Sequence, residues 1–245
     1  MDGKTLTGMR RKLTRELQTW WLLQHPRIIP LYGLAPSFGR FGGMVSPWYQ
    51  NGNASQYLQN AALTSGERTQ LWSEVVEGVA YLHGCTPVVV HGDLKPANIL
   101  IDDQGHARIC DFGLVRLVQE FGPTGQTTTS VHMGTIRYLS KELLCDNYED
   151  RIPTTASDVH ALACVALEII FGVLPYHRRR DNYTGNITID ILQGKPPGER
   201  PDIESPLLHQ VWNALEHCWD LDPYLRPSAG QLLEYLRQMG ILSAL

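Results

Sequence analysis

The chain has 245 residues, 43% of them apolar and 19% charged, with a net charge of −4, ordinary figures for a globular protein of one large domain or two small ones. No basic excess argues for nucleic acid, no stretch reaches 18 apolar residues, and Met1-Asp2-Gly3-Lys4 opens no apolar leader. Five widely spaced cysteines without a C-x-x-C pair fit reduced, mostly buried thiols. The expectation is a cytoplasmic or nuclear protein with no nucleic-acid partner and no membrane insertion.

Residues 6–24 read as a helix, because Leu6, Met9, Leu13, Leu17, Trp20 and Trp21 recur at helical spacing. His25-Pro26 ends it, since proline cannot continue the hydrogen-bond ladder. Residues 28–34 then read as a strand, residues 39–43 as a Gly-rich turn and residues 44–46 as a second strand. The turn lacks the G-x-G-x-x-G spacing of a phosphate cradle. A short helix (54–59) and a long one (65–83) follow, the latter with Leu71, Val75, Val79 and Leu82 along one face. Val88-Val89-Val90 reads as a buried strand that delivers His91.

The stretch His91-Gly92-Asp93-Leu94-Lys95-Pro96-Ala97-Asn98 leads into Ile99-Leu100-Ile101, a polar turn at Asp102-Asp103-Gln104-Gly105, and Ala107-Arg108-Ile109-Cys110. Two β runs around such a turn predict a hairpin. With residues 103–106 at its tip, Asn98 and Asp111 are expected opposite each other, about 5 Å apart. An amide oxygen and a carboxylate so placed suit Mg²⁺, which keeps several waters and binds phosphates.

The polar segment after Asp111-Phe112-Gly113, with Thr127-Thr128-Thr129-Ser130, is long for a loop in a compact domain, and a functional or mobile role is expected of it. Residues 161–171 are apolar almost all round and predict a central core helix, with Ser157 or Asp158 placed to cap it. Residues 176–206 read as polar surface with one helix near 187–193. Two last helices, 207–219 and 229–239, flank Asp222-Pro223-Tyr224-Leu225-Arg226-Pro227.

The stretch 91–98 together with Asp111-Phe112-Gly113 resembles the catalytic loop and metal-binding motif of protein kinases, H-R-D-L-x-x-x-N followed by D-F-G. Gly92 departs from it, standing where the family usually has arginine. The resemblance covers residues 6–240 and implies an α+β, kinase-like fold: a small, truncated N-lobe (residues 1–49, up to the hinge) and a mainly helical C-lobe (residues 50–245). It further implies ATP and Mg²⁺ as cofactors, and protein substrates or signalling partners.

Lys95 two places after Asp93, with the look of Leu94-Lys95-Pro96-Ala97-Asn98 and of Trp219 with Arg226-Pro227-Ser228, resembles the tyrosine-kinase-like group of serine/threonine kinases. By the resemblance Asp93 accepts or orients the proton of the acceptor hydroxyl, and Lys95 stabilises the transferring phosphoryl group. Asn98 and Asp111 hold Mg²⁺. Glu16, Ser46, Trp48, Tyr49 and Leu100 match positions around the nucleotide, Ser46 being the gatekeeper and residues 47–49 the hinge. Glu16 reads equally as a solvated helix charge paired with Lys12. His91, Phe112, Gly113, Glu142, Asp158 and Arg226 match structural or regulatory positions: Asp158 holds the catalytic-loop backbone, and Arg226 pairs with Glu142, although Ser140-Lys141 replaces the Ala-Pro of A-P-E.

Neither a glycine-rich strand–turn–strand nor a Val-Ala-x-Lys strand precedes Glu16, and Lys4, with three residues ahead of it, cannot serve as the strand lysine. Weak nucleotide binding and slow transfer are therefore expected of residues 1–245 alone. A serine/threonine kinase of which residues 1–245 are a fragment, an incomplete gene model or an isoform is the leading reading, with transfer to protein hydroxyls expected if a complete N-lobe exists. A non-catalytic, pseudokinase-like binding module and a small-molecule phosphotransferase, whose loop His91-Gly92-Asp93 also resembles, are the alternatives.

Overall fold

The computed structural model describes residues 20–35, 37, 43–111, 116–117, 135–144, 152–178 and 184–241. The expectations for Glu16, for Phe112 and Gly113, and for residues 127–130 lie outside these residues, as does most of the Gly-rich turn. Described elements run β1 (Gly33–Ala35), β2 (Gly43–Val45), α1 (Ala54–Asn60), α2 (Ser65–Gly84), β3 (Val89–Val90), β4 (Ile99–Ile101), β5 (Ala107–Ile109), β6 (Arg116–Leu117), α3 (Thr155–Ile169), α4 (Thr184–Leu192), α5 (Pro206–Cys218) and α6 (Ala229–Gln238). The strands form three antiparallel pairs, β1–β2, β3–β6 and β4–β5. Mass sits in the helices, as the sequence predicts.

The helix over residues 20–22 stops before His25. Residues 28–34, expected as one strand, are not one. Pro30 has no N–H to give, so only Ile28 bridges, in parallel, to Ile109, and regular pairing starts at Gly33. Helix α2 is opened by a capping box between Thr64 and Glu67, each side chain bonding the other's backbone amide. Helix α3 opens the same way from Thr154 and Ser157. The cap is thus Thr154, in place of the predicted Ser157 or Asp158, and Ser157 is its reciprocal partner.

Helix α3 is buried on nearly every face, from Val159 to Ile169. Helix α2 packs on α3, α6 and β5, and α5 packs on α3. The Trp72 indole N–H on α2 donates to the Leu162 carbonyl at 3.0 Å, so the two central helices are joined by a buried hydrogen bond as well as by apolar contact. Trp212 of α5 meets Phe171 and Trp219 edge-on, at centroid distances of 5.2 and 5.7 Å. A second, smaller core gathers Ile136, Tyr176, Ile187 and Ile191 under α4.

The candidate phosphoryl-transfer site

Strand β3 ends at Val90, and the loop that follows is held by one carboxylate. Asp158, in the first turn of α3 and 1% exposed, accepts the His91 amide at 2.8 Å and the Gly92 amide at 2.9 Å. The His83 Nε2, from the end of α2, lies 3.0 Å from the same carboxylate. Gly92 sits at φ +77°, the left-handed region open to glycine without strain. His91 is fully buried. Its Nδ1 accepts the Asp93 amide at 3.2 Å and its Nε2 lies 3.0 Å from the Cys110 carbonyl; one neutral tautomer, protonated on Nε2, satisfies both. The loop is thereby fastened to the strand that leads to Asp111.

Asp93, Lys95 and Asn98 come together. The Lys95 ammonium donates to Asp93 Oδ2 at 2.6 Å and to Thr135 Oγ1 at 2.9 Å. Asn98 closes a 3-10 turn begun by Pro96, and its Nδ2 donates to the Asp93 carbonyl at 2.8 Å and to Oδ2 at 3.1 Å. Asp93 Oδ1 is buried without a donor among the described residues. Such an atom calls for a hydrogen-bond partner the described protein does not supply.

The Asn98–Asp111 pairing needs a correction. Ile99 faces Ile109 in the ladder, and the Cys110 amide donates to the Asn98 carbonyl at 2.9 Å. Asn98 therefore stands opposite Cys110, one residue short of Asp111. Asp111 then adopts φ +61°, a region rare for a side-chain-bearing residue and concentrated at functional sites. Its exposed carboxylate leaves the strand pleat at that point.

With the Asn98 amide nitrogen spent on Asp93, its Oδ1 accepts nothing among the described residues. Asn98 Oδ1 and the Asp111 carboxylate are hard oxygen donors, and two such ligands fit a magnesium ion that keeps its remaining waters or phosphates. No group of three or more His, Cys, Asp or Glu side chains among the described residues makes an all-protein metal cage. Burial first, and then the Asp111 carboxylate, push the Cys110 thiol up to about 12, so the neighbouring sulfur stays protonated and uncharged.

Residues 46–49 run from β2 toward α1. The Trp48 side chain is 82% exposed, and its backbone has no partner among the described residues. Beyond the turn in which the Gly52 amide donates to the Tyr49 carbonyl at 3.2 Å, Asn53 bridges Leu100. Ser46, Trp48, Tyr49 and Leu100 thus lie along one connected stretch. Farther out, the Arg226 guanidinium, its side chain 1% exposed, grips Glu142 with a fork at 2.6 and 3.0 Å. Burial alone would raise the Glu142 pKa; the Arg226 hydrogen bond and charge outweigh it and hold the carboxyl below its ordinary value. Sequence reasoning missed Thr135 and His83. Neither stands in a local pattern, and each is recognised only by what folding brings to it.

A mainly helical fold with an aspartate, lysine and asparagine on one pinned loop is the arrangement expected of the protein kinase class. The protein kinase domain model matches residues 3–236, and the chain belongs to that family. It is 30% identical over 244 residues to the probable LRR receptor-like serine/threonine-protein kinase MEE39 of Arabidopsis thaliana, covering 93% of this chain and 27% of the relative. To the receptor-interacting serine/threonine-protein kinase 3 of Rattus norvegicus it is 30% identical over 226 residues, covering 89% and 46%. To the probable serine/threonine-protein kinase kinX of Dictyostelium discoideum it is 28% identical over 242 residues, covering 97% and 20%. The chain thus spans less than half the length of each of these curated relatives. The family generally uses ATP and Mg²⁺, and no helix among the described residues is long and apolar enough to cross a membrane.

Proposed function

We propose that this chain transfers the terminal phosphoryl group of Mg-ATP to serine or threonine hydroxyls of proteins. The observation that carries the reading is the joined cluster in which Lys95 bridges Asp93 and Thr135 while Asn98 ties the Asp93 backbone. Phosphoryl transfer asks a protein for positioning and charge neutralisation rather than covalent chemistry. Asp93 orients the acceptor hydroxyl and takes its proton. Lys95 lies against that carboxylate and places a positive charge where the transferring group gathers negative charge. Asn98 and Asp111 would hold the metal, which when bound neutralises the phosphate oxygens. Residues 46–49 and Leu100 would line the adenine, with the unpartnered Trp48 backbone facing it.

Thermal unfolding of the purified chain with and without Mg-ATP tests the reading. A ligand at about 100 times its Kd adds about 2.7 kcal/mol of stability. A saturable, Mg-dependent shift lost in Asp111→Asn is expected, with transfer to a serine/threonine peptide abolished in Asp93→Asn. A folded chain that neither shifts nor transfers phosphate is a binding module, and the proposal fails. Transfer to small alcohols but not to peptides would reassign the substrate class.

A further inference from the structure

Arg27 makes contacts that the chemistry above does not use. It lies between the helix over residues 20–22 and β1, and its guanidinium reaches two buried carboxylates of α2: Nε to Glu77 at 2.8 Å and NH2 to Glu74 at 3.2 Å. Glu74 and Glu77 are 2% and 8% exposed. Glu74 also accepts the Ala107 amide, at the start of β5, at 2.8 Å and lies 2.8 Å from His106 Nδ1. The Arg27 backbone meets the other end of the same strand: its carbonyl accepts the Ile109 amide at 2.8 Å, and the Ile29 amide donates to the Ile109 carbonyl at 3.0 Å. Residues 27–29 therefore run beside β5 through one isolated parallel bridge, Ile28 to Ile109, clamped to α2 through side chains.

The helix is shaped for this approach. A Cβ at Gly78 would lie 2.7 Å from Ile109 Cδ1, 3.1 Å from Arg27 Cβ and 3.2 Å from the Arg27 carbonyl oxygen, so a larger residue would push the Ile109 side chain aside and press on the Arg27 backbone. Asp111 follows Ile109 by two residues. Whatever sets the seat of Ile109 on α2 also sets where that carboxylate leaves the sheet.

We propose that Arg27 is a positioning residue for the metal–nucleotide site, fixing β5 on α2 and through it the place of Asp111. The inference rests on the reading of Asn98 and Asp111 as metal ligands. Burying two carboxylates against one guanidinium is a poor way to gain stability, because the cost of removing charges from water largely offsets their attraction. It is an effective way to fix one geometry, since the planar fork accepts carboxylates in few orientations. Partners beyond a metal's own ligands commonly change its affinity by about 10–100-fold when removed.

The test measures binding of Mn²⁺ with a non-hydrolysable ATP analogue, read by the electron paramagnetic resonance of free Mn²⁺, together with amide hydrogen exchange of the nucleotide-free chain. Arg27→Met should weaken Mn²⁺ binding about tenfold and speed exchange at Ala107 and Ile109. Arg27→Lys, which keeps the charge without the fork, should fall between, and the swapped pair Arg27→Glu with Glu77→Arg should recover much of the loss. Leu215→Ala on α5, which packs chiefly on α3, is the control: it lowers the melting temperature while metal affinity holds. Folded Arg27 variants with wild-type Mn²⁺ affinity, or an equal loss in the Leu215 control, overturn the proposal. Wild-type chain that binds no Mn²⁺–nucleotide refutes the functional reading itself, and the exchange rates at Ala107 and Ile109 then decide separately whether Arg27 holds β5.

Discussion

Asp158→Asn isolates the carboxylate under the catalytic loop with almost no change of shape. Asp158 is 1% exposed and receives two backbone amides, one on each oxygen. Hydrogen bonds to a charged acceptor contribute about 1.5–3 kcal/mol each. Asparagine keeps one acceptor oxygen, so one amide stays bonded at reduced strength. The other then faces an NH₂ group, and an orphaned buried donor costs about 1–3 kcal/mol. The sum is a loss of about 3 kcal/mol, or about 6–12 °C in melting temperature for a domain of this size. His83→Ala removes one donor and leaves both backbone bonds, so about 1 kcal/mol is expected there. Urea unfolding gives the stabilities, and peptide phosphorylation gives the activity, which should fall steeply in Asp158→Asn because His91 and Gly92 precede Asp93 directly. An Asp158→Asn chain within about 0.5 kcal/mol of wild type, the ordinary scatter of surface substitutions, and still active would refute the reasoning.

Other expectations follow from single contacts. Arg226→Met leaves Glu142 without its cation, and a loss of about 3 kcal/mol at pH 7 is expected. Because the folded Glu142 pKa is depressed, its contribution is present above the unfolded value of about 4.3 and is lost as pH falls through the folded value, so the variant and wild type should converge in strong acid. Burial, and next the Arg226 charge, lower the His160 pKa to about 4. The unfolded chain then binds a proton that the folded one refuses, and stability should drop by about 1 kcal/mol per pH unit from about 6.5 down to 4; His160→Gln should flatten that limb in urea titrations. Gly78→Ala gains about 1 kcal/mol of helix propensity but drives a methyl group into Arg27 and Ile109, where overpacking costs about 1–3 kcal/mol. Net destabilisation by differential scanning calorimetry is expected, and a stabilised variant would mean β5 moves freely on α2. With Gly92 in place of an arginine that would receive a phosphate, alanine at Thr127, Thr128, Thr129 or Ser130 should leave basal peptide phosphorylation largely unchanged, and collapse on any one substitution would sink that view.

The helices were legible because their stripes and caps are local: the Leu71, Val75, Val79 and Leu82 face of α2 and the all-round burial of α3 need no tertiary information. The loop at Asp93 was legible for another reason, a tight spacing of residue types that few folds require. What the sequence hid was geometry of one residue's reach. The hairpin was foreseen, yet Asn98 meets Cys110, since Asp102 pairs with His106 across a three-residue loop, one residue shorter than the expected tip at 103–106, with Gly105 at φ +87°. The positive φ of Asp111 then takes its carboxylate out of the alternation. Thr154 caps α3 because a threonine outside an apolar run can still reach an amide three residues on. Arg27, Glu74, Glu77, His83 and Thr135 were invisible in principle, as each finds its partner across 32 to 75 residues of chain.

Residues 27–29 line one side of the β4–β5 hairpin, and Gly52 and Asn53 line the other, where the Ile101 amide donates to the Gly52 carbonyl at 2.9 Å. Each strand thus has its outer side covered by one isolated bridge, Ile28 to Ile109 on β5 and Asn53 to Leu100 on β4. A hairpin open on both sides can shift its pairing by one residue and turn every side chain to the wrong face, and its bare amides invite a stranger's strand. Here a slip would have to break both flanking bridges at once and bring Ile99, Ile101 and Ile109, all fully buried, out of the core together. The register that sets Asn98 against Cys110 is thereby fixed three times over, and substitutions at the half-buried Leu100 or Arg108 can retune what lies beside the hairpin without unthreading it.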